Sequence, residues 1–227
     1  MSQLLPSLPH PRPASRTPAP PAAGEEEPRH AAWGAEAAIL PEVAARMLPG
    51  ARREAIAENL PHVLAGLAEF GLTDRPMLLM ALATVAAETA SFRPVEEGIS
   101  RWNTSPGGHP FDLYDNRPDL GNRGRPDGER YKGRGYVQLT GRDNYARFGK
   151  LLGLPLEERP ELANDPAVAG RILAAFLKSR ETRIKQALLE DDLRAARRLV
   201  NGGAHGLEAF TRAYRAGERA LTPPAGR

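Results

Sequence analysis

The chain has 227 residues, 41% of them hydrophobic and 26% charged, so it is long enough for one sizeable domain of ordinary globular composition. It contains no cysteine, which excludes disulfides, a thiol nucleophile and a thiolate zinc site within this sequence. The net charge of +3 is too small to indicate a nucleic-acid partner, and we expect none.

The first 35 residues differ in composition from the rest of the chain. They are rich in Pro, Ala and Ser and include three consecutive glutamates. Such a segment cannot bury an apolar core, so we predict a disordered tail over 1–35, a folded domain over 36–222 and a short tail over 223–227. The start lacks a basic stretch followed by an apolar one, so it is not an ordinary secretory signal. The longest apolar run, 77–87, is too short to span a bilayer, and we expect no membrane insertion.

The beginning of the domain predicts short helices. One is expected over 41–47 and another over 52–58. Asn59 then has the character of an N-cap, with Pro61 in the first turn of a third helix. Apolar residues recur at helical spacing from there to Gly71.

The next helix is apolar on nearly every face. Thr73 or Asp74 is expected to cap it, Pro76 stands in its first turn, and the run MLLMALATVAAET follows. A helix that is apolar all round is buried, and we predict that this one lies at the centre of the domain. Buried helices rarely carry charge, yet this one carries Glu88 near its end.

Two interpretations of Glu88 stand side by side. A glutamate near a helix end can simply reach solvent. Alternatively, burial and the negative end of the helix dipole both favour a protonated carboxyl group, which is what a general acid requires.

The remainder predicts long loops and further helices. Gly, Pro, Asn and Asp dominate 91–134, which indicates a long loop region, and such regions in compact domains often carry function. A short strand is expected over 136–140. Helices are then predicted over 141–152, 166–177, 181–189, 192–200 and 207–221. The expected fold is mainly α, with a central buried helix, long loops and at most a very small β element.

The segment YKGRGYVQLTGRDNY, 131–145, packs glycines and cations around a short apolar run. Taken alone, it fits a phosphate or nucleic-acid cradle, a structural turn or the wall of a sugar-binding cleft. It matches neither a P-loop nor a dinucleotide fingerprint. The five histidines show no metal-ligand spacing, so we predict no metal and no cofactor.

Four blocks carry a resemblance to a known family. In order along the chain, AAETASF (86–92), YDNRPDLGN (114–122), PDGERYKGRGYVQLTGRDNY (126–145) and ARRLVNGG (196–203) resemble the successive blocks of family 19 glycoside hydrolases. These are the chitinases and related phage and bacterial cell-wall lysins. The resemblance covers 60–220. It implies a lysozyme-like, two-lobed helical fold and inverting endo-hydrolysis of β-1,4-linked N-acetyl-hexosamine polymers, either peptidoglycan or chitin.

The resemblance also implies the acid and the base. Glu88 matches the general acid of the family's Glu-Thr motif. Glu97 matches the second glutamate of some phage-type lysins and is the preferred base, while Asp115 is the second candidate. An inverting pair stands roughly 6.5–9.5 Å apart, which leaves room for the attacking water. Ala87 replaces the histidine that usually precedes the acid, which removes a polar neighbour.

Further positions match sugar-binding residues of the family. Gln138, Asn144 and Asn201 match sugar contacts, and Thr140 matches the hydroxyl that helps to hold the attacking water. Tyr131 is also predicted to contact substrate. Other aromatic residues of a suitable type are Tyr136, Tyr145 and Trp102, most of which we expect to pack under the loop.

Several expectations follow for Lys132, Arg134 and the protein as a whole. We expect the two cations to pair with acids of the preceding loop and so to organise it. A polysaccharide is the expected partner, the protein is expected to be a monomer, and its substrate is expected outside the cytoplasm in which it is made. A lytic transglycosylase and a catalytically weak glycan-binding module remain as alternatives.

Overall fold

The structure, a computed structural model, describes residues 41–89, 91–203 and 205–221. The predicted tails over 1–35 and 223–227 lie outside the described residues. The described residues contain two strands, β1 (Val95–Glu96) and β2 (Arg134–Gly135). The helices are α1 (Pro41–Met47), α2 (Arg53–Glu69), α3 (Arg75–Glu88), α4 (Asp112–Asp115), α5 (Asp127–Arg130), α6 (Arg142–Leu152), α7 (Pro166–Lys178), α8 (Glu181–Leu189), α9 (Leu193–Asn201) and α10 (Leu207–Leu221). The predicted mainly α fold with a very small β element is confirmed.

Helix α3 is the buried centre of the domain. Asp74 is its N-cap and accepts a hydrogen bond from the backbone N–H of Met77 at 3.3 Å. Every residue from Pro76 to Val85 is buried, and α3 packs against α1, α7, α8 and α10. The prediction of a central buried helix is therefore confirmed. Because burial ends just before Glu88, that carboxyl lies where the core meets the surface.

Helix α2 is continuous where the sequence predicted a break. Asn59 is not an N-cap but an interior residue, whose Nδ2 donates to the Ala55 carbonyl at 2.9 Å. Its Oδ1 accepts the Tyr136 hydroxyl at 3.2 Å. Pro61 lies inside the helix. The predicted break was wrong because these buried contacts hold Asn59 in a helical turn, which outweighs the local preference for a cap.

Helices α2 and α7 cross at a pair of glycines. A Cβ added to Gly66 would lie 2.6 Å from the backbone carbonyl carbon of Gly170, and a Cβ on Gly170 would lie 2.5 Å from the His62 carbonyl oxygen. Any larger residue at either position would push the two backbones apart. This close packing joins α2 to α7, while α10 packs on α3 and α1.

The β element lies earlier than predicted. β1 and β2 pair antiparallel, with Val95 opposite Gly135 and Glu96 opposite Arg134. Instead of a strand over 136–140, the chain turns over 136–138, and Leu139 pairs back with Arg134 through hydrogen bonds of 2.9 and 3.2 Å. The prediction was wrong because this apolar run is buried by a tight turn, which apolar content alone does not distinguish from a strand.

The later helices agree with their predicted bounds to within one residue. Asp165 caps α7 by accepting hydrogen bonds from Ala167 N and Val168 N at 2.9 and 3.1 Å. Gly153 and Gly202 end α6 and α9 with φ values of 66° and 71°. A positive φ is unfavourable for a residue with a Cβ but is readily adopted by glycine, which explains why glycine ends both helices.

Candidate active site

Glu88 forms an ion pair with a residue that the sequence did not nominate. It is the last residue of α3, and its side chain is 15% exposed. Its Oε1 accepts a hydrogen bond of 2.6 Å from Nη2 of Arg197, which is completely buried on α9. The one available signal was the position of Arg197 in the ARRLVNGG block. The candidate acid is therefore in direct contact with a positive charge that is buried in the core.

Asn201 belongs to the same network. Arg197 Nε and Asn201 Nδ2 both donate to the backbone carbonyl of His205, at 3.1 and 2.8 Å. Asn201 also accepts the N–H of Gly203 at 3.1 Å. Arg197 therefore contacts Glu88 directly and is linked to Asn201 through the His205 carbonyl that both residues bind.

Glu97 follows β1 and is held by three hydrogen-bond donors. Its Oε2 accepts Gly133 N at 3.0 Å, while its Oε1 accepts the Tyr114 hydroxyl at 2.9 Å and Asn103 Nδ2 at 3.1 Å. Its own N–H donates to the Gly133 carbonyl at 2.8 Å. A carboxylate offers about four lone-pair positions, so a further donor such as water can still bind.

Three predicted site residues converge at Gly133. A Cβ added there would lie 2.7 Å from Gln138 Oε1, 3.1 Å from Glu97 Oε2 and 3.2 Å from Thr140 Oγ1. The lack of a side chain on Gly133 therefore lets three side-chain oxygen atoms lie close to its Cα. This arrangement joins the end of β1 to the turn after β2.

Side-chain contacts with the backbone fix that turn. Gln138 has a left-handed backbone with φ of 51°, and its Nε2 donates to the Val95 carbonyl at 2.9 Å. Thr140 Oγ1 donates to the Gln138 carbonyl at 2.9 Å, and Asn144 Nδ2 donates to the Thr140 carbonyl at 2.7 Å. A non-glycine residue in this conformation is uncommon and indicates a position that its surroundings determine.

Burial raises the pKa of Tyr114, and the neighbouring Glu97 carboxylate raises it further. The hydroxyl therefore stays protonated and remains a donor to Glu97 through the neutral pH range. Its ring packs against Phe111 with a centroid distance of 6.2 Å. Tyr114 is a second residue that sequence inspection did not single out, although it lies in the YDNRPDLGN block.

Asp115 lies in a different environment. Its side chain is 5% exposed, Oδ1 accepts Gly128 N at 2.8 Å, and Oδ2 lies 3.1 Å from His109 Nε2. Both oxygen atoms therefore bind parts of the loop region, α5 and the segment before α4. Neither contact involves the convergence at Gly133.

Tyr131 is a core residue in this structure. It is 1% exposed, and its hydroxyl donates to the Glu157 carbonyl at 3.1 Å. Its ring packs against Tyr145 and beneath the Arg142 guanidinium, at 5.5 and 4.8 Å between centres. With the hydroxyl and the ring both in contact with protein, Tyr131 leaves no surface for a sugar, which argues against its predicted contact with substrate.

The cations of the glycine-rich segment pair with an acid of the preceding loop. Lys132 Nζ and Arg134 Nη2 lie 3.3 and 2.9 Å from the same oxygen of Glu96. Arg134 also donates to the Arg130 carbonyl and the Tyr145 hydroxyl. The predicted pairing with loop acids is confirmed, and it ties β1 to β2 next to Glu97.

Two features are absent from the described part of the chain. No group of three or more His, Asp or Glu side chains there is placed to hold a metal ion. Within the same residues, no helix is both long and apolar enough to cross a membrane.

Comparisons with known proteins give a relative and solved structures that are named as glycoside hydrolases or chitinases. No family model matches the chain. A protein of Haemophilus influenzae (strain ATCC 51907 / DSM 11121 / KW20 / Rd), named glycosyl hydrolase family 19 domain-containing protein, is 35% identical over 104 residues. The match covers 46% of this chain and 49% of that protein, so the chain spans about half the length of this curated relative.

Solved structures match over more of the chain. Chitinase C from Streptomyces griseus HUT6037 aligns with a TM-score of 0.59 and 20% identity, covering 82% of this chain and 78% of its own. A bacterial family 19 chitinase aligns with a TM-score of 0.57 and 21% identity, covering 83% and 98%. The chain thus has the lysozyme-like helical fold of these chitinases, as predicted. The resemblance to family 19 glycoside hydrolases is confirmed by this fold and by the named relative.

Proposed function

We propose that this protein is an endo-glycosidase that hydrolyses β-1,4-linked N-acetyl-hexosamine polymers with inversion of configuration. The observation that carries the proposal is the convergence of Glu97, Gln138 and Thr140 around Gly133. A carboxylate, an amide oxygen and a hydroxyl thus lie close together beside this glycine. Glu88 stands nine residues before Glu97, at the end of the buried helix.

Glu88 is the proposed general acid. Arg197 holds one of its carboxyl oxygens, and within the described part of the chain no residue hydrogen-bonds to the other. That second oxygen is the one that can donate a proton to the glycosidic oxygen as the bond breaks. The buried guanidinium fixes the orientation of the carboxyl group.

Glu97 is the proposed base, in preference to Asp115. The Glu97 carboxyl accepts hydrogen bonds from an amide N–H, a hydroxyl and a backbone N–H, and these are the partners that suit an ionised carboxylate, which can only accept. Asp115 is almost fully buried and already binds Gly128 and His109. We therefore assign Asp115 to the support of the loop that carries Tyr114.

The proposed reaction uses a water held between Glu97 Oε2 and Thr140 Oγ1. Glu97 takes a proton from this water while the oxygen of the water attacks the anomeric carbon. Glu88 donates its proton to the leaving oxygen on the other side of the sugar. The bond from anomeric carbon to leaving oxygen breaks, and the product has the opposite anomeric configuration. Gln138, Asn144 and Asn201 are the proposed polar contacts to the sugars.

Product analysis tests the proposal. The two solved neighbours are chitinases by name, so chitin oligosaccharides come first and purified peptidoglycan second. Mass spectrometry and proton NMR of early products should give a new reducing end that is initially α. A 1,6-anhydro end would replace the hydrolase by a lytic transglycosylase, and polymer binding without cleavage would replace it by a binding module.

The Glu88→Gln variant identifies the acid. It should lose hydrolysis by at least about a hundredfold, because the amide cannot donate the required proton. Circular dichroism must show that it stays folded, since the change also leaves Arg197 without its charged partner. Unchanged turnover in a folded variant would contradict the assignment.

A further inference from the structure

A cavity of about 480 Å³ lies beside the segment that leads into β1. This volume falls in the range of about 300–1,000 Å³ that small-ligand sites occupy. The lining comes from α2, from the residues just before β1 and from the start of α7. Its polar members include Glu58, His62, Arg93 and Asn164, and Pro94 and Pro166 add apolar surface. None of these residues has a part in the proposed reaction.

Arg93 uses little of its hydrogen-bonding capacity. Among the described residues, its guanidinium makes one hydrogen bond, from Nη2 to Glu58 Oε2 at 2.6 Å, while Nε is buried without a partner. The Arg93 and Glu58 side chains are 42% and 56% exposed, so a ligand can reach the pair. A guanidinium carries its N–H donors in a planar fork, which suits a carboxylate. Arg93 can therefore bind a carboxylate from a ligand in addition to Glu58.

The backbone before Arg93 is fixed by buried contacts. Phe92 is fully buried and has a left-handed backbone with φ of 53°. Its ring packs against Tyr136 with 6.2 Å between centroids, and the Tyr136 hydroxyl donates to Asn59 of α2 at 3.2 Å. A non-glycine residue in this conformation indicates a position that its surroundings determine. The core therefore holds Arg93 in place next to α2.

The cavity lies close to the proposed base. Pro94 lines it and Glu97 follows three residues later, so the two Cα atoms lie within about 11 Å of each other. Between them, the Val95 carbonyl accepts a hydrogen bond from Gln138 Nε2 at 2.9 Å. An extended peptide of about three residues spans the same distance. A peptide attached to a sugar beside Glu97 can therefore reach Arg93.

The two candidate polymers differ in what they can place in this cavity. Chitin is uncharged and carries no substituent longer than an N-acetyl group. Peptidoglycan carries on alternate sugars a short peptide with free carboxylates, which we call the stem. Arg93 suits a stem carboxylate, Glu58 suits an amide or ammonium N–H, and the prolines suit small apolar side chains. No Phe, Tyr or Trp of the described chain lines the cavity, which disfavours a further sugar as the occupant.

We propose that this cavity binds the stem of peptidoglycan through Arg93, and that this contact makes peptidoglycan rather than chitin the preferred substrate. The stem leaves the glycan strand beside Glu97 and runs along the segment before β1 to the guanidinium. Asn164 offers a second donor, because its Oδ1 accepts Gly135 N at 3.0 Å while its Nδ2 has no partner among the described residues. The inference rests on the proposed function, since that function places the strand beside Glu97.

Direct binding at the guanidinium gives the first test. The probe is N-acetylmuramyl-L-alanyl-D-glutamate, a sugar with part of the stem and no glycosidic bond to cleave, and N-acetylglucosamine is the control without a peptide. In a ¹⁵N NMR titration, the Arg93 Nε–H resonance is identified by its absence from the Arg93→Lys protein. It should shift with the probe and stay fixed with the control. No shift with the probe, or an equal shift with both compounds, would overturn the proposal.

Substrate preference gives the second test. The substrates are purified peptidoglycan and the same strands after an amidase has removed the stems. Wild type should have the higher kcat/KM on intact peptidoglycan, and Arg93→Gln should lower this preference by about threefold to tenfold. Arg93→Lys keeps a positive charge for Glu58 but lacks the planar fork, so it should lose most of the preference as well. Wild-type preference in both folded variants would overturn the proposal.

Arg171→Gln is the matched control for these substitutions. Arg171 also pairs with a glutamate of α2, Glu69, at 2.7 Å, and the two side chains are 30% and 44% exposed. It does not line the cavity. Its loss should leave the preference for intact peptidoglycan as in wild type, and urea unfolding of all the variants shows whether each stays folded.

The two tests together separate this inference from the proposed function. If wild type cleaves intact and stem-free strands equally well and the probe does not shift the Arg93 resonance, the stem site is wrong and the hydrolase stands. If wild type cleaves neither substrate but the probe alone shifts that resonance, the hydrolase is wrong and the cavity remains a peptide-binding site.

Discussion

The guanidinium of Arg197 and the carboxyl of Glu88 form a 2.6 Å ion pair between a fully buried residue and the end of the central helix. A completely buried arginine is costly unless it is paired, and here its Nη1 finds no partner within the described residues. The pair therefore links the stability of the core to the orientation of the proposed acid.

Removing one member should destabilise the fold. Arg197→Met leaves the Glu88 carboxyl without its partner, and we expect the free energy of unfolding in urea to fall by about 3 kcal/mol. Arg212→Met is the control, because its pair with Glu208 is highly exposed and should contribute less than about 1 kcal/mol.

The double variant Arg197→Met with Glu88→Gln completes the cycle. It should recover part of the lost stability, since neither charge is then left unpaired. Equal losses in Arg197→Met and Arg212→Met would show that the buried pair has no special weight.

The two candidate bases should separate by near-isosteric substitution. Glu97→Gln keeps the size of the side chain but cannot accept a proton, so kcat should fall by at least about a hundredfold. Asp115→Asn keeps an oxygen for Gly128 N and should leave kcat nearly unchanged. Turnover is measured on one oligosaccharide with unfolding curves for both proteins. The reverse order of kcat values would make Asp115 the base.

Helix ends were predictable because their signals are local. Asp74 and Asp165 cap helices by binding backbone groups two or three residues ahead, and Gly202 stops α9 by its own backbone conformation. Asn59 carries the same kind of signal, but a hydroxyl 77 residues away engages its side chain inside α2. Long-range contacts of this kind cannot be seen in a window of sequence.

Among the site residues too, those in local motifs were predictable and those that depend on long-range contacts were not. Motif blocks nominated Glu88, Glu97 and Asn201, because their residue types and order are characteristic of the family. Arg197 was missed because its meaning depends on Glu88, 109 residues away, and on complete burial. Tyr131 was nominated by its type alone, and only the packing around it shows that a sugar has no access.

Alkaline pH should destabilise the protein. Burial raises the pKa of four of its five tyrosines above the ordinary value of 10.0, and these are Tyr114, Tyr136, Tyr145 and Tyr214. In the unfolded chain they ionise near that value, whereas in the folded protein they stay neutral. Their contribution to stability is therefore complete below pH 10 and is lost as pH rises towards the folded-state values, by up to about 1.4 kcal/mol per unit for each.

A single tyrosine tests this dependence. Tyr136→Phe removes one ionisable group and should reduce the slope of unfolding free energy against pH above about pH 10. It also removes the hydrogen bond to Asn59, which shifts the whole curve by about 1 kcal/mol but not its slope. A slope identical to that of wild type would contradict the role assigned to burial.

Gly133 offers the sharpest test of the proposed water site. In Gly133→Ala, the new methyl group would lie 3.1 Å from Glu97 Oε2, 2.7 Å from Gln138 Oε1 and 3.2 Å from Thr140 Oγ1, closer than ordinary van der Waals contact. All three atoms are ends of side chains that can move by a few tenths of an ångström, so the fold should survive. Hydrolysis should fall by about a hundredfold or more, because the methyl group would press on Glu97 Oε2 and Thr140 Oγ1, the two atoms proposed to hold the attacking water.

Gly98→Ala is the matched control for this substitution. Gly98 lies one residue after Glu97, and nothing lies within 4 Å of a Cβ added there. Both variants should keep the circular dichroism spectrum of wild type, and only the Gly133 change should abolish turnover. If Gly133→Ala hydrolyses oligosaccharides as fast as Gly98→Ala, the water does not lie between Glu97 and Thr140, and the base must be sought elsewhere in the loop.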